Sequence, residues 1–106
     1  MTGKLYTKEE VILCTYAAMY DVDDFGGINQ IHLLHNRSLS SIKMKIMNIA
    51  SMLDENGIRF NDNKVSPLTG LPTGKRGRRT NWDIVETIYS LPKEEFLKKC
   101  KIIIGN

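Results

Sequence analysis

Residues 38–53 carry serine, lysine, asparagine and methionine side chains among their apolar residues, but no aspartate or glutamate. Lysine and asparagine can hydrogen-bond to base edges in the DNA major groove, and serine can bond to phosphate oxygens. The Asn48 amide can make two hydrogen bonds to adenine, and Lys45 can reach guanine or a phosphate. Met44 and Met47 can contact thymine methyl groups, although methionine also suits adaptable protein contacts. This composition predicts a surface that binds a macromolecule, with DNA as the first candidate.

A basic run at residues 75–79 is the second candidate contact. Its cations, which have one glycine among them, are Lys75, Arg76, Arg78 and Arg79. Cations on a Gly-containing loop can follow a phosphate backbone and release its counterions, or can enter a minor groove. Residues 35–79 carry nine Lys or Arg and three Asp or Glu, a net charge of +6 in a chain of +3 overall. The basic charge is therefore concentrated where it could meet a polyanion.

Catalytic and metal-binding patterns are weak in this chain. His32 and His35 lie three residues apart, but no cysteine or acid stands at close ligand spacing, which favours a structural pair. The aspartates at 21–24 lack the glutamate that ends an EF-hand calcium loop, so a turn is favoured there. Residues 73–75 lack the spacing of a phosphate-binding P-loop. We therefore expect no enzymatic activity, no cofactor and no metal site.

Three short helices are predicted to position the candidate residues. Residues 7–10 read Thr-Lys-Glu-Glu, a capping box that starts a first helix extending to about Tyr20. Two glycines at 26–27 favour a turn after it. A second helix is predicted at about 28–35 from the spacing of its apolar residues. A tight connection at 36–37 then leads into the third helix.

The third helix, Ser38–Glu55, has the clearest pattern in the sequence. Ser38 or Ser40 can cap its first turn, and Gly57 can end it. At 100° per residue, its predicted core stripe comprises Leu39, Ile42, Ile46, Ile49, Ala50 and Leu53. The opposite, outward side comprises Ser40, Ser41, Met44, Lys45, Met47, Asn48 and Ser51.

Two segments resemble the Myb/SANT-like helix-turn-helix modules of bacteria and their phages. They are Tyr-Thr-Lys-Glu-Glu-Val at 6–11 and Asn-Arg-Ser-Leu-Ser-Ser-Ile-Lys-Met-Lys-Ile-Met-Asn-Ile-Ala at 36–50. The shared pattern is an Arg-Ser entry and a helix of the form Ser-Ile-x-x-Lys-Ile-x-Asn, and the resemblance covers about residues 6–57. Such modules often precede an HNH nuclease domain, which we do not expect in these residues because no histidine follows His35. The resemblance implies DNA contact by Arg37, Ser40, Ser41, Lys43, Lys45 and Asn48.

The predicted fold class is all-α, with a three-helix, Myb-like helix-turn-helix core at 1–57. Residues 58–81 predict an exposed basic loop rich in glycine and proline. Residues 82–106 predict one or two helices packed back on the core, with Thr80 or Asn81 as the first cap. With 106 residues, 42% of them hydrophobic, the chain is expected to form a single domain.

These features predict a small protein that binds double-stranded DNA. Residues 40–48 would enter a major groove, with Arg37 and the basic run on phosphates. The alternative is a phage or mobile-element inhibitor or adaptor, of anti-restriction or anti-CRISPR type, that binds a host protein–nucleic acid complex. The exposed methionines would then contact protein. In either case the protein could also form a homodimer.

A cytoplasmic location is expected from the cysteines and the hydropathy pattern. Cys14 and Cys100 both lie in apolar helical patterns, which predicts reduced core residues in a reducing compartment. No apolar run approaches the roughly 18 residues of a membrane span, and the first residues lack the apolar core of a signal peptide.

Overall fold

The computed structural model describes residues 6–56 and 81–105, which fold as helices and short connections without a strand. The α-helices of this part are α1 (Lys8–Met19), α2 (Ile28–His35), α3 (Leu39–Glu55), α4 (Trp82–Ile88) and α5 (Lys93–Ile103). The all-α class is confirmed, and α1, α2 and α3 occupy the predicted stretches. The predicted loop at 58–81 lies outside the described residues except for Asn81. None of the described helices is both long and apolar enough to cross a bilayer.

α1 is the central helix of the core, and every residue from Glu10 to Met19 is buried. The predicted capping box is confirmed. The Thr7 hydroxyl accepts from the Glu10 backbone N–H at 3.2 Å, and the Glu10 carboxylate accepts from the Thr7 backbone N–H at 2.8 Å. A helix buried around its whole circumference needs partners on every side. α2, α3, α4 and α5 all pack against it.

A 3₁₀ helix, Val22–Phe25, redirects the chain after α1. Asp21 caps it by accepting from the Asp23 backbone N–H at 3.0 Å. Gly26 and Gly27 follow with φ values of 114° and 103°. Residues other than glycine rarely adopt such values. The prediction of a turn in this Asp-rich stretch is confirmed.

A short connection joins α2 to α3. Asn36 ends α2 in the left-handed conformation, with φ 59° and ψ 36°, which asparagine tolerates better than most residues. Of the two serines considered as caps, Ser38 fills the position, and its hydroxyl accepts from the Ser41 backbone N–H at 3.1 Å. The His32 ring bonds through Nδ1 to the Arg37 carbonyl oxygen and so ties the connection to α2.

α3 buries most of the predicted stripe. The residues buried as predicted are Ile42, Ile46, Ile49, Ala50 and Leu53. Leu39 is 40% exposed, so its predicted place in the core is wrong. The buried arc extends instead to Lys45 and Met52, and Met52 lies about 60° beyond Ile49 at 100° per residue. Leu39 lies within this arc but is the first residue of α3, so its exposure reflects its place at the end of the helix. Ser51, predicted to face outward, is also buried.

α4 and α5 contribute to the same core as α1 and α3. Val85 and Ile88 are the buried residues of α4, and Phe96 and Cys100 are those of α5. The Phe96 ring meets Tyr16 of α1 edge-on, with ring centroids 5.2 Å apart and an interplanar angle of 89°. This geometry is favourable for aromatic pairs and fixes α5 against α1.

Both cysteines are core residues, as predicted, with 0% exposure at Cys14 and Cys100. Burial raises the pKa of each thiol to about 12. Because the thiolate is the reactive form, both side chains act as small apolar groups at neutral pH.

Candidate nucleic-acid interface

The outward side of α3 displays most of the DNA contacts predicted on that helix. Those that are exposed are Ser40, Ser41, Lys43 and Met44, and Asn48 is half-buried. At 100° per residue, Lys43, Met44 and Asn48 fall within about 140° of arc, so they share one face. The first acidic residue of the helix is Asp54, close to its C-terminal end. We call this set, Ser40, Ser41, Lys43, Met44 and Asn48, the α3 face.

Lys45 does not belong to the α3 face. Its residue exposure is 8%, so the prediction that it points outward is wrong. The ammonium donates to the Asn81 side-chain oxygen at 2.7 Å and lies 5.2 Å from the centre of the Tyr6 ring. Tyr6 and Asn81 thus cover a side of α3 that the helical pattern alone leaves open. Burial lowers the pKa of Lys45 because the charged form is poorly solvated there.

Arg37 is paired within the protein. Its Nε and Nη2 donate to the two oxygens of the Glu10 carboxylate, at 2.6 and 2.9 Å. The guanidinium carbon also lies 3.9 Å from the centre of the Tyr6 ring, and the side chain is 12% exposed. A bidentate pair fixes both position and orientation of the guanidinium. Arg37 therefore links the connection before α3 to the N-terminal turn of α1.

The Glu10 carboxylate is fully buried, and its partners keep it ionised. Burial alone would raise its pKa, because a low-dielectric interior disfavours the charged form. The hydrogen bonds from Arg37 and from the Thr7 backbone outweigh burial and hold the pKa of Glu10 below its usual value of 4.5. The carboxylate thus serves both as a helix cap and as the counter-ion of Arg37.

This arrangement predicts acid-sensitive stability. A carboxylate whose folded-state pKa lies below its unfolded value stabilises the fold above that unfolded value, 4.5 for Glu10, and ceases to do so as the pH falls through the folded pKa. Wild-type protein is therefore expected to lose more free energy of unfolding between about pH 6 and pH 2 than Glu10→Gln protein does. Urea unfolding followed by circular dichroism at each pH measures the difference. Parallel pH profiles for the two proteins would contradict this assignment.

Tyr6 connects the segment before α1 to α3. Its hydroxyl lies 2.9 Å from the Ser41 hydroxyl, and its ring is in contact range of the Arg37 and Lys45 cations. Burial, the largest influence, raises the pKa of Tyr6, so the phenol is neutral at physiological pH. Neutral tyrosine can donate to Ser41 while its ring face stabilises both cations.

The four cations of the basic run, Lys75, Arg76, Arg78 and Arg79, lie outside the described residues. Residues 6–56 and 81–105 carry eight Lys or Arg and eleven Asp or Glu, a net charge of −3. Residues 57–80 carry six and one, a net charge of +5. Asn81, the first described residue after them, contacts α3 through Lys45. The residue that follows this segment in the sequence therefore lies beside α3.

Large apolar side chains are exposed on α2, in the first half of α3 and, at Ile102, on α5. Leu33 is 70% exposed, Met44 54% and Leu39 40%. Isolated exposed apolar residues are ordinary on protein surfaces. Three of them on consecutive helices are compatible with a macromolecular contact that includes an apolar part.

Within 6–56 and 81–105, no group of three or more His, Cys, Asp or Glu side chains is placed to hold a metal ion. His32 is engaged with the backbone of the α2–α3 connection. Asp24, in the Asp-rich turn, accepts a hydrogen bond from the Tyr16 hydroxyl at 2.7 Å. Both observations agree with structural roles for these residues.

Sequence reasoning missed Tyr6, Glu10 and Asn81 as partners of the predicted contact residues. Glu10 was assigned to a helix cap alone, and Asn81 only to a possible cap of α4. The sequence does contain one indication of the Glu10 ion pair, because a carboxylate that is buried in a largely apolar helix needs a cation as its partner. That indication does not identify the cation, because Arg37 is 27 residues away in the chain.

Comparison with protein-family models, with curated proteins and with solved structures gave no match to this chain. The resemblance to Myb/SANT-like modules therefore stays a prediction from the quoted residues.

Proposed function

We propose that this protein binds double-stranded DNA, with the α3 face in a major groove and the basic run on phosphates. The proposal involves no catalytic step, cofactor or metal. The cytoplasm is the proposed compartment, since free thiols such as Cys14 and Cys100 persist in reducing surroundings.

The observation that carries the proposal is the chemistry of the α3 face. Its exposed side chains are short or unbranched, and Lys43 supplies a cation with no acid nearby on the same face. Such a surface can approach base edges, whereas an acidic residue would repel the phosphates on either side of the groove. Ser40 and Ser41, in the first turn of the helix, are placed where hydroxyl and backbone N–H groups favour phosphate.

The connection between α2 and α3 also supports the proposal. α2 has eight residues, and three residues separate it from the first residue of α3. Helix-turn-helix motifs join their two helices by three or four residues, and the second helix reads the groove. We assign no DNA contact to Arg37 or Lys45, because the first is paired with Glu10 and the second is buried.

Titration of a labelled random-sequence duplex with the protein, at several salt concentrations from about 50 to 200 mM, tests the proposal. Wild-type protein is expected to bind at low salt and to weaken linearly in log affinity against log salt. Failure to bind duplex DNA at low salt would refute the proposal.

Lys43→Met is expected to reduce the slope of that plot by about 0.9, the contribution of one phosphate contact. Fluorescence anisotropy on the same duplex measures the slope. Lys98→Met on α5 is the matched control, because Lys98 is also exposed but lies on another helix. An unchanged slope for Lys43→Met would remove Lys43 from the interface.

A second candidate function, an inhibitor or adaptor that binds a host protein–nucleic acid complex, is favoured by one observation. The surface of α2 and α3 exposes three apolar side chains, Leu33, Leu39 and Met44. A DNA groove would contact only some of them, whereas a protein partner could bury all three. Pull-down from nuclease-treated lysate separates the two functions. A stoichiometric protein partner that survives the treatment supports the inhibitor, and a partner lost with the nucleic acid supports DNA binding.

A further inference from the structure

Lys45 is a buried cation without a described counter-ion. Among the described side chains of residues 6–56 and 81–105, no carboxylate lies within ion-pair distance of its ammonium; its partners are the Asn81 side-chain oxygen and the Tyr6 ring. Arg37, which lies over the same Tyr6 ring, is already paired with Glu10. Lys45 therefore adds one net positive charge to a buried polar region.

Stability alone gives no reason for a lysine at this position. Burying a cation costs free energy of solvation. A hydrogen bond to a neutral group and a contact with an aromatic ring offset only part of that cost. Methionine has a similar length and would pack there without that cost. A residue that breaks the local rules of core composition often has a functional role.

The role follows from what Lys45 holds. Asn81 precedes the first residue of α4 and has a left-handed backbone, with φ 71° and ψ 15°. Its side chain makes no capping hydrogen bond to its own helix. Instead the amide oxygen accepts from Lys45, 36 residues earlier on α3, at 2.7 Å. The contact fixes the point where the chain enters α4 against the side of α3.

We infer that Lys45 is a positioning residue for DNA binding: it holds Asn81 against α3 and thereby sets where the chain enters α4, without touching DNA. This inference rests on the proposed function. The same helix offers a matched comparison, because Lys43 and Lys45 are two residues apart but one is exposed and the other buried.

Lys45→Met is expected to lower the affinity for duplex DNA by about tenfold at every salt concentration, while the salt slope stays that of wild type. Its melting temperature should be no lower than that of wild type. Lys43→Met should show the opposite pattern, with a reduced slope. If Lys45→Met reduces the slope by about 0.9, Lys45 contacts a phosphate directly and the inference is overturned.

Limited trypsin digestion tests the tether without DNA. Mass spectrometry follows the rate of cleavage after Arg79, the trypsin site closest before Asn81 in the sequence and present in every variant. Lys45→Met and Asn81→Gly are expected to be cleaved severalfold faster than wild type. Asn81→Asp keeps an acceptor for Lys45 and tolerates the left-handed backbone, so it should be cleaved at the wild-type rate.

The two measurements separate failure of the inference from failure of the proposed function. Wild-type protein that does not bind duplex DNA refutes the proposed function, and the cleavage rates still decide whether Lys45 tethers Asn81. Equal cleavage rates for wild type, Lys45→Met and Asn81→Gly would overturn the tether. Faster cleavage with unchanged DNA affinity would overturn the positioning role.

Discussion

Arg37→Met is expected to lower the free energy of unfolding by about 3–5 kcal/mol, the usual cost of removing one partner from a buried ion pair. The variant leaves the Glu10 carboxylate, whose side chain is 0% exposed, without its cation. Methionine keeps an unbranched side chain at this position, so lost volume contributes little. Small domains have total stabilities of about 5–15 kcal/mol, and the loss would be a large part of that. Urea unfolding followed by circular dichroism measures it.

The matched control is the double variant Glu10→Gln with Arg37→Met. Glutamine is neutral and can still accept from the Thr7 backbone N–H, so the double variant should recover most of the stability that Arg37→Met loses. Lys43→Met, an exposed change on α3, should alter stability by less than about 0.5 kcal/mol. A loss below about 1 kcal/mol in Arg37→Met would show that the pair does not stabilise the connection before α3 against α1.

Neutralising the basic run is expected to have the largest effect on binding. With Lys75, Arg76, Arg78 and Arg79 all changed to alanine, the salt slope should fall by about 3.6, which is 0.9 for each of four phosphate contacts. Near 0.1 M salt this corresponds to a loss of affinity on the order of a thousandfold. Duplex titration by fluorescence anisotropy measures both quantities, and circular dichroism confirms that the helices are retained.

A second basic cluster provides the control for net charge. Lys98, Lys99 and Lys101 are exposed on α5, and their replacement by glutamine removes nearly as much positive charge. That variant should keep most of the wild-type slope if binding depends on where the cations lie. Equal losses in the two variants would mean that overall charge, and not the basic run, drives association with DNA.

The helix boundaries followed from local signals. The Thr7–Glu10 capping box, the glycines after the 3₁₀ helix and the Ser38 cap each act within a few residues, so a sequence shows them directly. The apolar stripe of α3 was predicted for the same reason, because helical periodicity is a property of neighbouring residues. Leu39 was the exception: its exposure depends on which elements cover the ends of that stripe.

The candidate interface was only half predictable. Ser40, Ser41 and Met44 are exposed as the helical periodicity implies, whereas Lys43, also exposed, was expected at the surface only from the family resemblance. Lys45 has an equally polar side chain on the same helix, yet it is buried. Its burial depends on Asn81, and the engagement of Arg37 depends on Glu10. Helical periodicity placed Lys45, and not Lys43, on the outward side, so the local pattern does not identify which lysine is exposed.

By itself, the sequence determined that this chain is helical, where the first three helices lie, and that its positive charge is concentrated in residues 35–79. The tertiary structure alone decided which cations are available to a partner. Glu10 pairs with Arg37 across 27 residues, and Asn81 holds Lys45 across 36. Helix formation depends on interactions within a few residues, whereas the availability of a charged side chain depends on which distant residue packs over it. The α3 face therefore presents one lysine where the sequence suggested two.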